Sequence, residues 1–515
     1  MRSTFHSLEI SKRALFTQQA ALSTTGHNIA NANTEGYSRQ VVNMKAARPI
    51  EAVGLSHSTA PGQLGMGVEF DSITRIREKF LDDQFRNENK SLGSWSVRQD
   101  TLEKLETIIA EPSETGIRTV VNNFFKAWSD LSKDPEKTDG RKIVREAAMA
   151  MADAFNTTSR QLEDLKGDLT ANINVTISQV NTQIDSISRL NAEIQRVEGL
   201  GDNANDLRDQ RDLLTDQLSK IVNIQVQDSP QGYTITMGSV ALVEGAQATP
   251  LTADSVSAAY GSGALNNGEI HGMILSRDKY VADYQNQIDT LVNTIANGEI
   301  EVTIPKGSVL PNNTVLGNKT YTGADRELKE DLTVKVNGLN GLHKLGYIFS
   351  DTPTAAGDFF TGTTGTTFQV NPDIVNNPNL IATSLRTTGT GTSDTVIKGN
   401  NTMALLISGL TNTKFTFPAA VAGTPDTKAT MDDFFRSTVG QLGVQTQEAT
   451  RQAGNQKVLT DQVDSRRQSV SQVSLDEEMS NMIKFQHAYN AAARAMTTFD
   501  EMLDKVINSM GVVGR

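Results

Sequence analysis

Leu475, Met482, Tyr489, Met496, Leu503 and Met510 recur at a strict seven-residue interval. A second line, Phe485, Ala492, Phe499, Val506 and Val513, runs beside it at the offset that puts both on one side of a helix. Ser474, with Glu477 three residues later, supplies a capping-box start. The spacing predicts a helix of about 36 residues, roughly 54 Å long at 1.5 Å per residue. A helix of that length cannot cover its own stripe, so another surface must. A buried core helix would meet that need. So would a second helix of the same chain, with the remainder taken up by neighbouring copies.

A second helix is available. Leu8, Leu15, Leu22 and Ile29 are also seven residues apart, but their companion positions Phe5, Lys12, Gln19 and Gly26 are mixed, so the stripe is thin. The turn-prone run Asn31-Ala32-Asn33-Thr34-Glu35-Gly36 stops this helix, and Gly36 suits a positive φ. Chain ends are usually the least ordered parts of a fold. Two complementary apolar lines placed there predict a coiled-coil pair that keeps apolar surface for other molecules.

Between these lie further helices, expected over about Ser91–Ile109, Thr115–Leu131, Arg141–Val197, Asn205–Val222 and Thr430–Arg467. In the longest, Leu162, Leu165, Leu169, Ile173, Ile177, Val180, Ile184 and Ile187 step by threes and fours. From about Asn223 the pattern changes to short alternating runs. Tyr233, Ile235 and Met237 follow a Pro230–Gly232 turn, and Val302–Ile304, Leu332–Val336 and Thr366–Val370 read as strands. The fold class is therefore α+β and multidomain, with paired end helices, a long-helix bundle and a β-rich insert. The expected division is 1–45 with 470–515 as a helical assembly domain, 46–222 with 400–469 as a helical body, and 223–399 as β-rich outer domains. A helix at about 272–296 interrupts the last of these.

Composition narrows the function. The net charge is -12 and no cysteine occurs in 515 residues. An acidic chain has no field to draw phosphates, so no general affinity for nucleic acid or an anionic membrane is expected. With no 18-residue apolar stretch, no membrane insertion is expected either. Disulfides and cysteine-ligated metals are excluded. No apolar run of seven or more interrupts the first 25 residues, so no cleavable leader is expected. The histidines at 6, 27, 57, 271, 343 and 487 lack metal-ligand spacing. Asp202, Asn203, Asn205 and Asp206 superficially resemble a calcium loop, but Ala204 and Leu207 occupy positions that need a ligand and a glycine. They read as a solvated turn and helix cap. Gly389-Thr390-Gly391 lacks the third glycine of a dinucleotide loop. No catalytic residue, cofactor or metal is expected.

Gly26-His27-Asn28-Ile29-Ala30-Asn31-Ala32-Asn33-Thr34-Glu35-Gly36-Tyr37-Ser38-Arg39-Gln40 resembles the N-terminal signature of the bacterial flagellar hook-associated protein 1 family. The shorter core Ala30-Asn31-x-x-Thr34-x-Gly36-Tyr37 is similar to that of rod and hook subunits. Phe485-Gln486-His487-Ala488-Tyr489-Asn490 and Asn205-Asp206-Leu207-Arg208-Asp209-Gln210-Arg211-Asp212 are similar to the same axial family. The resemblance covers the first 220 and last 90 residues well and the middle poorly, where Glu299–Glu330 looks like an insertion.

The resemblance implies a structural subunit that self-assembles into a ring at the hook–filament junction, outside the cell, after type III export. It implies hook protein and hook-associated protein 3 as neighbours and a cytoplasmic chaperone on the C-terminal helix. The expected assembly interface is Leu8, Leu15, Leu22, Ile29, Asn31, Asn33, Thr34, Gly36 and Tyr37 on one side. On the other it is Leu475, Met482, Phe485, Tyr489, Met496, Phe499, Leu503, Val506 and Met510. A hook or distal-rod subunit is the nearest alternative. An enzyme or adhesin carried on flagellar-type ends is the distant one, and Asn223–Asp426 offers it only His271 and His343 without a motif.

Overall fold

The computed structural model describes residues 5–49, 64–109, 116–229, 232–391, 393–418 and 426–509. In chain order the elements are α1 (His6–Ala30), β1 (Gln40–Ala46), β2 (Val68–Arg75), α2 (Lys79–Ile109), α3 (Ile117–Leu131), α4 (Thr138–Glu198) and α5 (Asn205–Ile221). Four strands follow, β3 (Gln225–Ser229), β4 (Gly232–Met237), β5 (Val240–Glu244) and β6 (Gln247–Ala248). Then come α6 (Ala253–Gly261), α7 (Glu269–Leu275), a π-helical segment (Ser276–Val281) and α8 (Ala282–Asn297). Next are β7 (Glu299–Ile304), β8 (Thr314–Leu316), β9 (Lys319–Tyr321), β10 (Leu332–Asn337), α9 (Gly338–His343), β11 (Phe360–Thr361), β12 (Gln369–Val370) and α10 (Pro372–Asn376). The chain ends with α11 (Thr402–Gly409), β13 (Phe415–Phe417), β14 (Thr427–Ala429), α12 (Met431–Ser471) and α13 (Leu475–Asp504). A π-helical segment, Lys505–Ser509, continues α13.

The architecture is α+β with long helices, as the periodicity predicts. Boundaries moved where polar residues hid a helix. α2 begins at Lys79 rather than near Ser91, because its first turns bury Asp82, Arg86 and Asn89 instead of an apolar stripe. The strand expected over Thr366–Val370 shrinks to two residues, paired with Phe360–Thr361.

Compactness divides the chain into two units. The first takes Met1–Trp95, Asn174–His271 and Ala453–Arg515; the second takes Ser96–Ile173 and Gly272–Gln452. In the first, β1 and β2 form an antiparallel ribbon with a bulge at Asn43/Met44, and β3 to β6 form an antiparallel meander. β4 alternates as a half-buried strand should, turning Tyr233, Ile235 and Met237 inward. Tyr233 donates its hydroxyl to Thr215 of α5 at 3.1 Å, and the Arg211 guanidinium lies 3.7 Å from the centre of its ring.

The second unit has an aromatic core. α3 buries Ile117, Val121, Phe124, Phe125, Trp128 and Leu131 along one face. Phe124 and Trp128 meet Phe359, and Phe360 stacks on Phe368 at 4.6 Å between ring centres. Asn340 stitches the loop beneath them, accepting from the backbone N–H groups of Phe359 and Phe360, both at 2.9 Å. β7 and β10 pair in antiparallel register, as do β8 with β9 and β13 with β14.

His343 is fully buried beside these rings. Its Nδ1 lies 2.7 Å from the Gly357 carbonyl and its Nε2 accepts from the Ala382 N–H at 3.0 Å. Those partners fix a neutral ring with the proton on Nδ1. Burial lowers its pKa to about 4, against a smaller opposing pull from the Gly357 carbonyl. Above the unfolded-state value of about 6.5 the group costs nothing; below it the unfolded chain takes up a proton that the fold refuses. Stability should therefore fall as pH drops from about 6.5 to 4, by roughly 3 kcal/mol from this group at about 1.4 kcal/mol per unit. Thermal unfolding of His343→Gln should be weaker at pH 7 but lose less than the parent on going to pH 5. Parallel pH slopes would contradict this.

Candidate assembly surface

α1 and α13 pack along each other in antiparallel sense, with Phe5 and Leu8 near Leu503 at one end and Asn28 on Glu478 at the other. α1 has a second side against the β1–β2 ribbon, where Thr17 donates to the Val68 carbonyl. Its fully buried residues are Ser11, Thr17, Ala21, Thr24, Thr25 and Asn28. Small and hydroxyl side chains let the helix lie close to the ribbon, and they explain why its apolar line is thin.

Leu8, Leu15, Leu22 and Ile29 are half-buried, and so are Met482, Phe485, Tyr489, Met496, Phe499 and Leu503. These are the facing a/d lines of the pair. Leu475 and Val506 remain 47% and 50% exposed. Met510 lies outside the described residues. Within α13 the one buried residue is a carboxylate, Glu478, at 2% exposure. A helix with so strong a repeat, and no fully buried apolar side chain, is not closed by α1 alone. Beyond the expected residues, Met479 and Ile483 are 57% and 54% exposed, and Phe5, Phe16, Met502 and Ile507 are exposed too. All but Phe5, which heads the mixed companion line of α1, fall outside the seven-residue lines, so the repeat did not reveal them.

The turn after α1 is held by hydrogen bonds that sequence spacing could not show. Asn31 caps the helix, its Nδ2 donating to the His27 carbonyl at 3.1 Å while its Oδ1 accepts from Thr34. Asn33 and Thr34 are exposed. Gly36 takes φ +80, and a Cβ there would sit 3.0 Å from Leu213 of α5, so both backbone and space call for glycine. Tyr37 donates its hydroxyl to Asn28 Oδ1 at 2.8 Å. Burial, then Asp206, Asp209 and Glu478, pushes that phenol's pKa up and keeps it a donor.

Asn28 uses every bond an amide can make. Its Oδ1 accepts from Tyr37 and from the Gln40 N–H at 3.0 Å, and its Nδ2 donates to the Gln40 carbonyl at 2.9 Å and to Glu478 at 3.1 Å. Arg39 spans the start of α13, bonding Glu478 and Glu477, each at 2.8 Å. The expected capping box is thus half made: Ser474 accepts from the Glu477 N–H, while the Glu477 carboxylate serves Arg39.

The acidic run of α5 receives the other side of the turn. Ser38 donates its N–H and its hydroxyl to Asp209, at 2.9 and 2.7 Å, and Gln40 donates to Asp206 at 2.7 Å. The cap expected at 202–206 is absent: Ala204 is the N-cap residue, and Asn203 and Asn205 donate to the Ile73 carbonyl instead. Below, Asp82, Asp209, Asp212 and Asp216 are buried against Arg75, Arg77, Arg86 and Arg467. Arg77 grips Asp82 through two bonds, at 2.7 and 3.0 Å. Burial opposes the charge on Asp212, but Arg77, Arg75 and Arg86 outweigh it and hold its pKa at about 2. Its share of the stability is present above about pH 3.9 and is lost as pH falls toward 2.

Residues 8–37 match the family described as flagella basal body rod protein, and 465–510 match the C-terminal region described for flagellar basal body rod FlgEFG protein. Residues 102–299 match the flagellar hook-associated protein FlgK helical domain. The chain is 34% identical to flagellar hook-associated protein 1 of Bacillus subtilis over 542 aligned residues, covering 100% of both. It belongs to the flagellar hook-associated protein 1 family. The Escherichia coli relative of that name is 27% identical, over 95% of this chain and 97% of its own. The structure of the flagellar hook junction protein FlgK from Burkholderia pseudomallei shares the fold, with a TM-score of 0.52 at 15% identity. It covers 76% of this chain and 100% of that one. In this hook-associated protein 1 family member, the two rod-type matches fall on α1 with its turn and on α13 with the end of α12. Among the described residues no group of three or more side chains could hold a metal ion, and no helix is long and apolar enough to cross a membrane.

Arg77→Met should leave Asp82 and Asp212 short of countercharge and cost about 3–5 kcal/mol, the range for breaking a buried ion pair from one side. A urea titration would show a lower midpoint with unchanged slope. A loss below about 1 kcal/mol would mean that the cluster is not what holds this turn.

Proposed function

We propose that this chain is a structural subunit of the bacterial flagellum, not an enzyme, and that it joins the hook to the filament. The observation that carries this reading is the pairing of α1 with α13 in a chain of this family: an apolar seam left half-buried, set on a turn that is firmly held. Residues 1–45 with 470–515 form the assembly part, 46–222 with 400–469 the body, and 223–399 the outward part. The seam residues Leu8, Leu15, Leu22, Ile29, Met482, Phe485, Tyr489, Met496, Phe499 and Leu503 tighten when neighbouring copies cover them. Leu475, Val506 and Met510, with the turn residues Asn31, Asn33, Thr34, Gly36 and Tyr37, complete the contact. Coverage by neighbours supplies the burial that a single copy lacks, at about 25 cal/mol per Å² of apolar surface.

Copies of the chain close into a ring. Hook protein lies on one side and hook-associated protein 3 on the other. The subunit leaves the cell through the flagellar type III apparatus and works outside it. A cytoplasmic chaperone covers α13 beforehand, because an exposed apolar stripe invites aggregation.

Deletion of the gene should give hooks without filaments and flagellin in the medium, both visible by microscopy and gel. Filaments of normal number would refute the assignment. Met496→Asp or Leu503→Asp should leave the helical circular dichroism of the body intact while reducing incorporation into flagella at least tenfold. Each places a carboxylate in the seam, where covering an unpaired charge costs more than covering a neutral polar group. Normal incorporation of both would remove the seam from the mechanism.

A further inference from the structure

The apolar lines of the α1–α13 pair cannot by themselves say how the two helices align. Leu8, Leu15, Leu22 and Ile29 repeat every seven residues, and so do Met482, Tyr489, Met496 and Leu503. Sliding one helix by seven residues, about 10 Å at 1.5 Å per residue, brings apolar positions back against apolar positions. A seam of this kind specifies a side, not a register.

We propose that Glu478, Arg39 and Asn28 form the pin that selects one register. Glu478 is the single buried residue of α13. Its two oxygens are taken separately: Oε1 by Arg39 Nε at 2.8 Å, Oε2 by Asn28 Nδ2 at 3.1 Å. Arg39 is anchored on both sides by its backbone, donating its N–H to the Ser471 carbonyl and accepting from Ile76 N–H, each at 2.8 Å. Asn28 is anchored by both its bonds to the Gln40 backbone. The contact is therefore a fixed socket and not two long side chains meeting in solvent. Slipped one way, the socket would face Phe485, which carries no charge. Slipped the other way, it would face Ser471, the last residue of α12, whose carbonyl would have to leave the Arg39 N–H it holds. Glu478 would then be unpaired, and one of the two Nδ2 protons of Asn28 would lose its acceptor while the other keeps the Gln40 carbonyl. A buried polar contact that costs stability when mismatched selects register where apolar contacts cannot. These are positioning residues: they set which α13 residues each copy offers to the next. That consequence rests on the function proposed above; the register itself does not.

The absence of cysteine from the sequence makes a direct test clean. Leu8 and Leu503 line one cavity, so Leu8→Cys with Leu503→Cys reports the native register, and Leu8→Cys with Met496→Cys reports a seven-residue slip. Full-length chain is treated with a short bis-maleimide, and intramolecular products are resolved by mass spectrometry. In the parent the native product should form at least tenfold faster than the slipped one. Glu478→Leu and Arg39→Met should each bring that ratio near unity, with body circular dichroism unchanged, and Glu478→Gln, which keeps an acceptor for Asn28, should recover part of it. A ratio that stays above tenfold in Glu478→Leu and Arg39→Met would overturn the pin, as would a parent ratio near unity. Normal incorporation of the seam variants while this ratio behaves as expected would count against the function proposed above and leave the pin standing.

Discussion

A buried charge is tolerated only where its partners are fixed, and the first unit is organised around that requirement. Four aspartates from α2 and α5 meet arginines from the end of β2 and the segment after it, from α2 and from the end of α12. Each arginine has more than one acidic neighbour, so no single pair could be removed without stranding another. Arg77 shows this most clearly: burial opposes its charge, and Asp212, Asp82 and Asp216 more than compensate. The turn carrying Ser38 is hung on this cluster through Asp209. Ser38 thereby fixes the start of the segment whose next residue, Arg39, reaches Glu478 of α13.

The two units solve the problem of cohesion differently. The second relies on interlocked rings, with Phe124, Trp128, Phe359, Phe360 and Phe368 in contact and a neutral histidine among them. Such a core is apolar and insensitive to salt. The first places its strongest contacts between ions and amides, and leaves its longest apolar lines only half-covered. A polar joint gives direction, which greasy contacts do not.

Much of this architecture was legible in the sequence, for identifiable reasons. α13 and α4 announce themselves because their apolar residues keep helical spacing over many turns. β4 does so because Tyr233, Ile235 and Met237 alternate. The opening turns of α2 were not legible, since the residues buried there include Asp82, Arg86 and Asn89, which leave no apolar stripe. The chemistry of the turn was equally hidden. Ser38-Arg39-Gln40 and Asn205–Asp212 stand out as motifs, yet nothing in either says that Ser38 reaches Asp209, or that Gln40 reaches Asp206, across more than 160 intervening positions. Glu478 lies on neither apolar line, and it is the residue α13 buries. Long-range pairing of polar groups leaves no periodic trace, because it depends on where the fold brings the segments.

Asn28 illustrates how far such pairing can narrow a choice. Its amide gives two protons and takes two, all four to partners held by other segments. Aspartate has the same shape but would turn lone pairs toward Glu478 and the Gln40 carbonyl. Glutamine would carry its amide one carbon too far, and serine would fall short. Leucine would fill the space and orphan four groups at once. At this position the surroundings leave one side chain of twenty that fits.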